Sequence, residues 1–259
     1  KNYDKLGNPD YIGFMHYRRH FIFNENLNEY YKNEFGLYEI KNITKDYINN
    51  IKLNDKDINS FIKKTFADFY ITRKIKTLYS VKEHFCKDLS FLNSQDLEKC
   101  AQEIISNYPK YKETVTNYLN SNSNYWYGSF IMRKDLFFEY CDWLFNILFK
   151  LEKKINRKNY SVQSNRILAF LAERLLGIFY VHKQNILKYE LDMSFIKKTE
   201  INLSIKPRQI ENNIALCFCC NRDYFPYLTV TLQSIIANKT DDNIYDITIL
   251  HTDELPEQC

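Results

Sequence analysis

Four basic side chains fall within five residues near the start of the chain, where His16, Arg18, Arg19 and His20 surround Tyr17. Guanidinium groups donate planar, bidentate hydrogen bonds to phosphate oxygens and stay charged at neutral pH. Because such groups repel one another unless an anion lies among them, the segment predicts an anion-binding site. The alternative, a solvated basic strand end or an arginine paired with a carboxylate, stays open at this point.

The residues before this cluster predict the element that would position it. An apolar run at residues 11–17 follows a Gly-Asn-Pro turn, which indicates a buried strand. Strand alternation would place His16 and Arg18 on one face and Tyr17 and Arg19 on the other. In open α/β sheets ligands bind at the carboxyl ends of the strands, so the cluster is expected at a binding edge.

Apolar residues at helical spacing predict supporting helices at residues 97–108, 111–118, 136–151 and 161–178, with strands at 67–72 and 125–132. Ser94 is expected to cap the first of these helices. Residues 24–57 are polar and predict loop with a short helix. Glu173 and Arg174 interrupt the otherwise apolar last helix. Either they form a structural salt bridge, or Glu173 is a ligand-facing, catalytic carboxylate.

The pattern changes beyond residue 207. Residues 214–220, 224–237 and 244–250 predict a strand, a helix and a second strand, which together make a parallel βαβ unit. One such unit buries little surface, so residues 208–259 are expected to open a second domain whose remainder lies beyond the sequence.

Composition argues against a nucleic-acid-binding protein, a membrane-spanning protein and a disulfide-stabilised protein. The 259 residues carry 36 Lys and Arg against 32 Asp and Glu, a balance too even to indicate a nucleic-acid partner by itself. No apolar stretch reaches the roughly 20 residues of a membrane span, and seven cysteines at irregular spacing indicate no disulfide framework. We therefore expect a cytoplasmic protein. The basic run at residues 150–158 is either a solvated turn or a peripheral contact with the inner face of the cytoplasmic membrane.

Several separated motifs resemble one family in the same order. Residues 10–21, 68–71, 125–145 and 170–175, with Tyr79, His84 and Asp88, are similar to domain-of-unknown-function family 4422, found in capsular and exopolysaccharide glycosyltransferases. The resemblance covers residues 8–200 and implies an α/β, helix-rich, GT-A-like (Rossmann-type) nucleotide-sugar glycosyltransferase fold for residues 1–207. It also implies further sequence before residue 1. Gly128 stands where the family usually carries Asn.

The tail resembles a second family. Residues 214–228, 233–236 and 245–253 are similar to the start of glycosyltransferase family 8. This resemblance implies that the loop holding Asn221, Asp223 and Tyr224 contacts a nucleotide. The family's Asp-x-Asp metal motif would lie downstream of this sequence, so a need for Mg²⁺ or Mn²⁺ stays open.

Together the resemblances imply transfer of a sugar from a nucleotide-diphosphate donor, expected to be a UDP-sugar, to a growing bacterial surface polysaccharide. The acceptor would be a glycan or lipid-linked glycan of capsule, exopolysaccharide or lipopolysaccharide. Tyr17, Arg18 and Arg19 would hold the diphosphate, and His16 would contact a phosphate or act as a general base. The competing class is a non-catalytic module, either a scaffold of polysaccharide assembly or a binder of single-stranded nucleic acid. Nucleic acid is not the expected partner, because apolar positions mostly follow core periodicity.

Overall fold

The computed structural model describes residues 7–25, 27, 32–33, 36–40, 43–87, 91–197, 213–220, 225–239 and 244–251. Contacts divide the chain into two units, Lys1–Glu200 and Ile201–Cys259, and each unit is described by itself.

The first unit contains short strands and longer helices. Its strands are β1 (Tyr11–Phe14), β2 (Arg19–Phe21), β3 (Tyr38–Ile40), β4 (Phe69–Thr72), β5 (Ile75–Lys76), β6 (Ser123–Asn124), β7 (Phe130–Arg133), β8 (Lys188–Leu191) and β9 (Met193–Ile196). Its helices are α1 (Lys45–Asn50), α2 (Asp55–Thr65), α3 (Val81–Lys87), α4 (Ser94–Asn107), α5 (Lys112–Asn120), α6 (Lys134–Lys154) and α7 (Ile167–His182), with 3-10 turns at Pro109–Tyr111 and Ser164–Arg166.

A four-stranded mixed sheet lies at the centre of this unit, in the order β1-β7-β4-β8. β7 pairs antiparallel with both β1 and β4, whereas β8 pairs parallel with β4. All four residues of β4 are buried, because both faces of the strand are covered. Phe69 and Ile71 pack into the helix-side core, and Tyr70 packs into a second cluster on the opposite face.

A second sheet, in the order β2-β9-β3, adjoins the first. Asp192 alone separates β8 from β9, so the chain passes directly from one sheet into the other. β8 and β9 were not predicted from the sequence, although residues 188–195 alternate strictly between polar and apolar. Nor was β3, and the short helix predicted within residues 24–57 corresponds to α1.

The first strand is shorter and more exposed than the sequence predicts. β1 ends at Phe14, lies at a sheet edge and has only Ile12 buried. Residues 16–19 form a turn closed by the Arg19 amide, which donates to the His16 carbonyl at 2.9 Å. The predicted buried strand through Tyr17 is therefore wrong, and so is the predicted alternation of its faces. The physical reason is that the chain turns here to leave the first sheet and to enter β2.

Most predicted helices are confirmed, with corrections at their ends. The six apolar residues predicted to form the core face of α6 are all buried: Leu136, Tyr140, Trp143, Leu144, Ile147 and Leu151. Asn93 rather than Ser94 caps α4, since its side chain accepts a hydrogen bond from the Gln95 amide. Ser161 opens only the preceding turn, where its Oγ accepts from the Ser164 amide at 3.0 Å, and α7 begins at Ile167.

Gly177 lets α7 approach α5 closely. A Cβ at this position would lie 1.9 Å from the hydroxyl oxygen of Tyr118. That hydroxyl is buried and donates to Asn124 Oδ1. The absence of a side chain at residue 177 is therefore a packing requirement.

The second unit shows the predicted strand, helix and strand as β10 (Asn213–Cys220), α8 (Phe225–Asn238) and β11 (Ile244–His251). β10 and β11 are parallel, which confirms the βαβ pattern. Asn221, Asp223 and Tyr224 lie outside the described residues. Across both units, none of the described helices is long and apolar enough to cross a membrane.

Candidate functional site

A cleft of about 920 Å³ opens into the first unit. It is bordered by one face of α7, by the segment around β5, by α3 and by the turn before β7. The lining residues are Arg19, Ile75, Lys76, Thr77, Leu78, Tyr79, His84, Trp126, Tyr127, Gly128, Tyr140, Arg166, Ala169, Phe170, Ala172, Glu173, Arg174 and Leu176.

Side chains at helical spacing along α7 form one wall of the cleft. Arg166 just precedes the helix, and Phe170 and Glu173 follow at intervals of four and three residues, so the three share a face. The Arg166 guanidinium lies 5.7 Å from the centre of the Phe170 ring. The helix thus presents a cation, an aromatic ring and a carboxylate in a row.

Glu173 is held from two sides. Its Oε1 accepts a hydrogen bond from the Tyr127 amide at 2.7 Å, and its Oε2 pairs with Arg174 Nη1. The Glu173 side chain is 25% exposed, whereas that of Arg174 is 2% exposed. The predicted salt bridge is therefore confirmed, and the same carboxylate lies on the cleft wall, where its catalytic role stays a prediction.

The buried Arg174 connects the carboxylate to the aromatic side of the cleft. Its guanidinium lies 5.3 Å from the Phe85 ring centre and 5.1 Å from the Trp126 ring centre. Nη1 also donates to the Phe170 carbonyl at 3.2 Å. A cation buried in this way requires the Glu173 charge, since an unpaired buried charge is strongly unfavourable.

The turn at residues 126–128 has an uncommon backbone conformation. Tyr127 has φ 78° and Gly128 has φ 60°, so two successive residues are left-handed. A non-glycine residue adopts this conformation only when its surroundings hold it there. The Tyr127 amide is fixed by Glu173, and the Trp126 carbonyl accepts from Thr72 Oγ1 at 3.0 Å. Glycine and asparagine both tolerate this conformation, which gives a physical reason why Gly128 can stand where the resembled family usually carries Asn.

Arg19 reaches the cleft beside this turn. Its guanidinium lies 4.9 Å from the Tyr127 ring centre and 5.7 Å from the Phe195 ring centre. Its Nε is buried without a hydrogen-bond partner, and no carboxylate among the described residues pairs with it. The positive charge of this guanidinium at the cleft wall is therefore not compensated by a carboxylate of the described residues.

Burial raises the pKa of Tyr127 to about 12, against the opposing effect of Arg19. The phenol under the guanidinium therefore stays neutral at physiological pH. It offers Arg19 an aromatic face rather than a competing negative charge.

The other predicted residues of the basic segment do not line the cleft. Arg18 Nε donates to the Ile196 carbonyl at 2.9 Å and its Nη2 to the Lys197 carbonyl at 2.7 Å, which ties the turn to the end of β9. Tyr17 is 71% exposed. His16 Nδ1 accepts from the Arg18 amide at 3.1 Å, and burial together with Arg19 and Arg18 lowers the His16 pKa. The turn at residues 16–19 explains why only Arg19 of this group reaches the cleft.

Two further cations of the cleft, Lys76 and Arg166, were not predicted from the sequence. The signal for Arg166 was present, because it continues the spacing of Phe170 and Glu173 by one helical turn. His84, noted only in the family resemblance, lies with its ring centre 4.2 Å from that of Trp126. Within the ranges that the structure describes, no group of three or more His, Cys, Asp or Glu side chains could hold a metal ion.

A model of the family "Domain of unknown function (DUF4422)" matches residues 1–185. The chain belongs to the DUF4422 family. It is also similar to a solved structure, the "WbbM bifunctional glycosytransferase apo structure", with a TM-score of 0.72 and 26% sequence identity. That match covers 94% of this chain and 43% of the solved one, so the chain spans less than half of the glycosyltransferase it resembles.

The architecture of the DUF4422 chain is accordingly mixed α/β, helix-rich and GT-A-like, as the sequence predicts. The comparison with curated proteins finds no match. The family match ends at residue 185, and the resemblance of residues 208–259 to glycosyltransferase family 8 stays a prediction.

Proposed function

We propose that this DUF4422 protein transfers a sugar from a nucleotide-diphosphate sugar to a hydroxyl group of a glycan. The observation that carries the proposal is Arg19, a guanidinium at the wall of a 920 Å³ cleft that no carboxylate of the described residues neutralises. The similarity to a bifunctional glycosyltransferase supports the reaction class.

The difficult step of sugar transfer is departure of the diphosphate. The bond between the anomeric carbon and the phosphate oxygen breaks, and its electron pair stays with the leaving group. Positive charge fixed where this negative charge develops lowers the barrier, especially in a cleft shielded from water. We assign this role to Arg19, with Lys76 and Arg166 as further cations of the same cleft.

Glu173 supplies the opposite charge. As the leaving group departs, the sugar ring becomes positively charged, and a fixed carboxylate nearby stabilises it. Its hydrogen bond from Tyr127 and its pairing with Arg174 hold Glu173 on the cleft wall. Because the Tyr127 amide and Arg174 already engage both oxygens of Glu173, we assign this residue an electrostatic role rather than that of a general base.

The finer parts of the proposal rest on the family resemblance. They are a UDP-sugar as donor and a glycan or lipid-linked glycan of a bacterial surface polysaccharide as acceptor. The proposal assigns roles to side chains of the cleft alone.

The test is release of nucleoside diphosphate from a panel of nucleotide sugars in the presence of glycan acceptors. The wild type should release it from at least one donor, and Arg19→Gln should lower kcat/KM about tenfold to a hundredfold, as expected for one lost charge-assisted phosphate contact. Arg157→Gln is the matched control, because Arg157 pairs with Glu152 and does not line the cleft. No release from any donor by the folded wild type would contradict the proposed activity. Equal kcat/KM for Arg19→Gln and wild type would contradict the assignment of Arg19.

A further inference from the structure

The outer face of α6 carries an unusual set of side chains. Phe138, Phe145 and Phe149 are 43%, 46% and 60% exposed. At 100° per residue these three positions fall within about 40° of one another, opposite the buried face that contains Ile147. Phe145 and Phe149 also stack on each other, with ring centres 5.7 Å apart and an angle of 25° between the rings. Exposed aromatic rings in a row along one helix face are a candidate interaction surface.

Two opposite charges lie on the same face. Asp142 stands one turn before Phe145 and Lys153 one turn after Phe149, and both point to the same side of the aromatic row by helical geometry. Neither Asp142 nor Lys153 forms an ion pair or a side-chain hydrogen bond with a described residue. The basic residues near Lys153 differ in this respect. Lys150 and Lys154 pair with Glu103, and Arg157 pairs with Glu152.

These pairings argue against a lipid surface as the occupant of this face. The basic run at residues 150–158 suggested contact with anionic lipid, but three of its cations are already paired with carboxylates. Asp142 lies among the phenylalanines and would repel an anionic bilayer. A partner for this face must instead offer an apolar surface, a cation opposite Asp142 and an anion opposite Lys153.

A second copy of the same helix meets these requirements when it runs antiparallel. A two-fold axis perpendicular to α6 and level with Ile147 places Phe145 of each copy opposite Phe149 of the other. The same axis brings Asp142 of each copy beside Lys153 of the other, since antiparallel helices pair residues from the same side of their seams. Self-complementarity of one patch is the defining feature of a two-fold interface.

We propose that the chain self-associates through α6, with Phe145 and Phe149 at the centre and two Asp142–Lys153 ion pairs at the flanks of the interface. The inference goes beyond the proposed function and does not depend on it, because association needs no nucleotide sugar. The surface is a single helix face of 21 residues, so the dimer is a weak one that dissociates on dilution.

Sedimentation of the full chain from about 1 to about 200 µM tests the proposal across the expected affinity range. The wild type should shift from monomer to dimer, and Phe145→Ser should weaken the dimer at least about tenfold. Phe66→Ser is the matched control, because Phe66 is a highly exposed phenylalanine outside α6 and its loss should leave association unchanged. Circular dichroism and thermal melting establish that each variant is folded.

Charge reversal gives the sharper readout. Asp142→Lys and Lys153→Asp should each weaken the dimer about tenfold, since each turns two attractive pairs into repulsive ones, and the double variant should restore it. A wild type that stays monomeric throughout would overturn the proposal. Failure of the double variant to restore association, or Phe145-dependent flotation of a monomer with anionic phosphatidylserine vesicles, would overturn it as well.

Discussion

Replacement of Glu173 by glutamine tests the central contact of the cleft wall. The substitution keeps an oxygen that can accept from the Tyr127 amide, but it removes the charge that faces Arg174. Arg174 would then keep the Phe170 carbonyl, His84 Nδ1 at 3.5 Å, and the Phe85 and Trp126 rings, none of which carries a full negative charge.

The expected cost follows from burial. Breaking a buried ion pair by removing one partner costs roughly 3–5 kcal/mol. Because a quarter of the Glu173 side chain is exposed and water can reach the site, we expect about 2–3 kcal/mol for Glu173→Gln. For a unit of this size that corresponds to a fall in Tm of roughly 5–10 °C.

Urea denaturation of four proteins measures the effect: wild type, Glu173→Gln, Arg174→Met and the double variant. If the charges act on each other, the double variant should lose less stability than the sum of the two single variants, with a coupling free energy above about 1 kcal/mol. A Glu173→Gln variant as stable as the wild type, or a coupling near zero, would refute the reasoning. The carboxylate would then not be what compensates the buried guanidinium.

Three further predictions follow from single contacts. Arg18→Ala should lower stability by about 1–2 kcal/mol, because two hydrogen bonds to the Ile196 and Lys197 carbonyls are lost, and should leave UDP affinity unchanged; a selective loss of UDP binding would place Arg18 in the site instead. Gly177→Ala should lower the free energy of unfolding, measured by urea denaturation, by about 1–3 kcal/mol, because the added methyl group overlaps the Tyr118 hydroxyl. The loss should exceed that of Gly128→Ala, where only the left-handed backbone opposes a side chain. Equal losses of stability in the two variants would disprove the steric argument. Burial, and secondarily the charges of Lys110 and Lys183, lower the pKa of His182 in the folded chain. As the pH falls, the unfolded state, with a His182 pKa of about 6.5, therefore takes up the proton before the folded state does. The free energy of unfolding should therefore fall between about pH 7.5 and pH 5.5, and less steeply in His182→Gln; an unchanged slope would remove His182 as a contributor beside His16 and His20, whose pKa values are also lowered.

The sequence predicted those elements whose apolar spacing alone determines them. The core face of α6 is confirmed residue by residue, because a long helix repeats its pattern often enough to exclude alternatives. The βαβ pattern of the second unit is also confirmed, because its two apolar runs flank a segment whose apolar residues have helical spacing.

The elements around Arg18 could not be predicted from local pattern. Residues 11–17 read as one continuous apolar strand, yet the chain turns at His16 because β9 pairs with β2, and that partner lies far along the sequence. The turn also separates the two arginines, sending Arg18 to backbone carbonyls and Arg19 to the cleft. Spacing showed that cations cluster here, but only tertiary pairing decides which of them a ligand can reach.

The surroundings of Glu173 could not be predicted from the local sequence either. Its position in an apolar helix indicated either a salt bridge or a functional carboxylate, and the structure shows a salt bridge whose carboxylate also lines the cleft. Nothing local predicted that the left-handed Tyr127 would donate to it. That contact joins two distant segments and shapes the cleft.

The most direct test of the account is calorimetric titration of the folded chain with UDP, comparing wild type with Arg19→Gln and with the Arg157→Gln control. The account predicts saturable binding by the wild type and by the control, and an affinity about tenfold to a hundredfold lower for Arg19→Gln, equivalent to roughly 1.5–3 kcal/mol for one charge-assisted phosphate contact. UDP binding of equal affinity in all three proteins would contradict the claim that Arg19 receives the diphosphate.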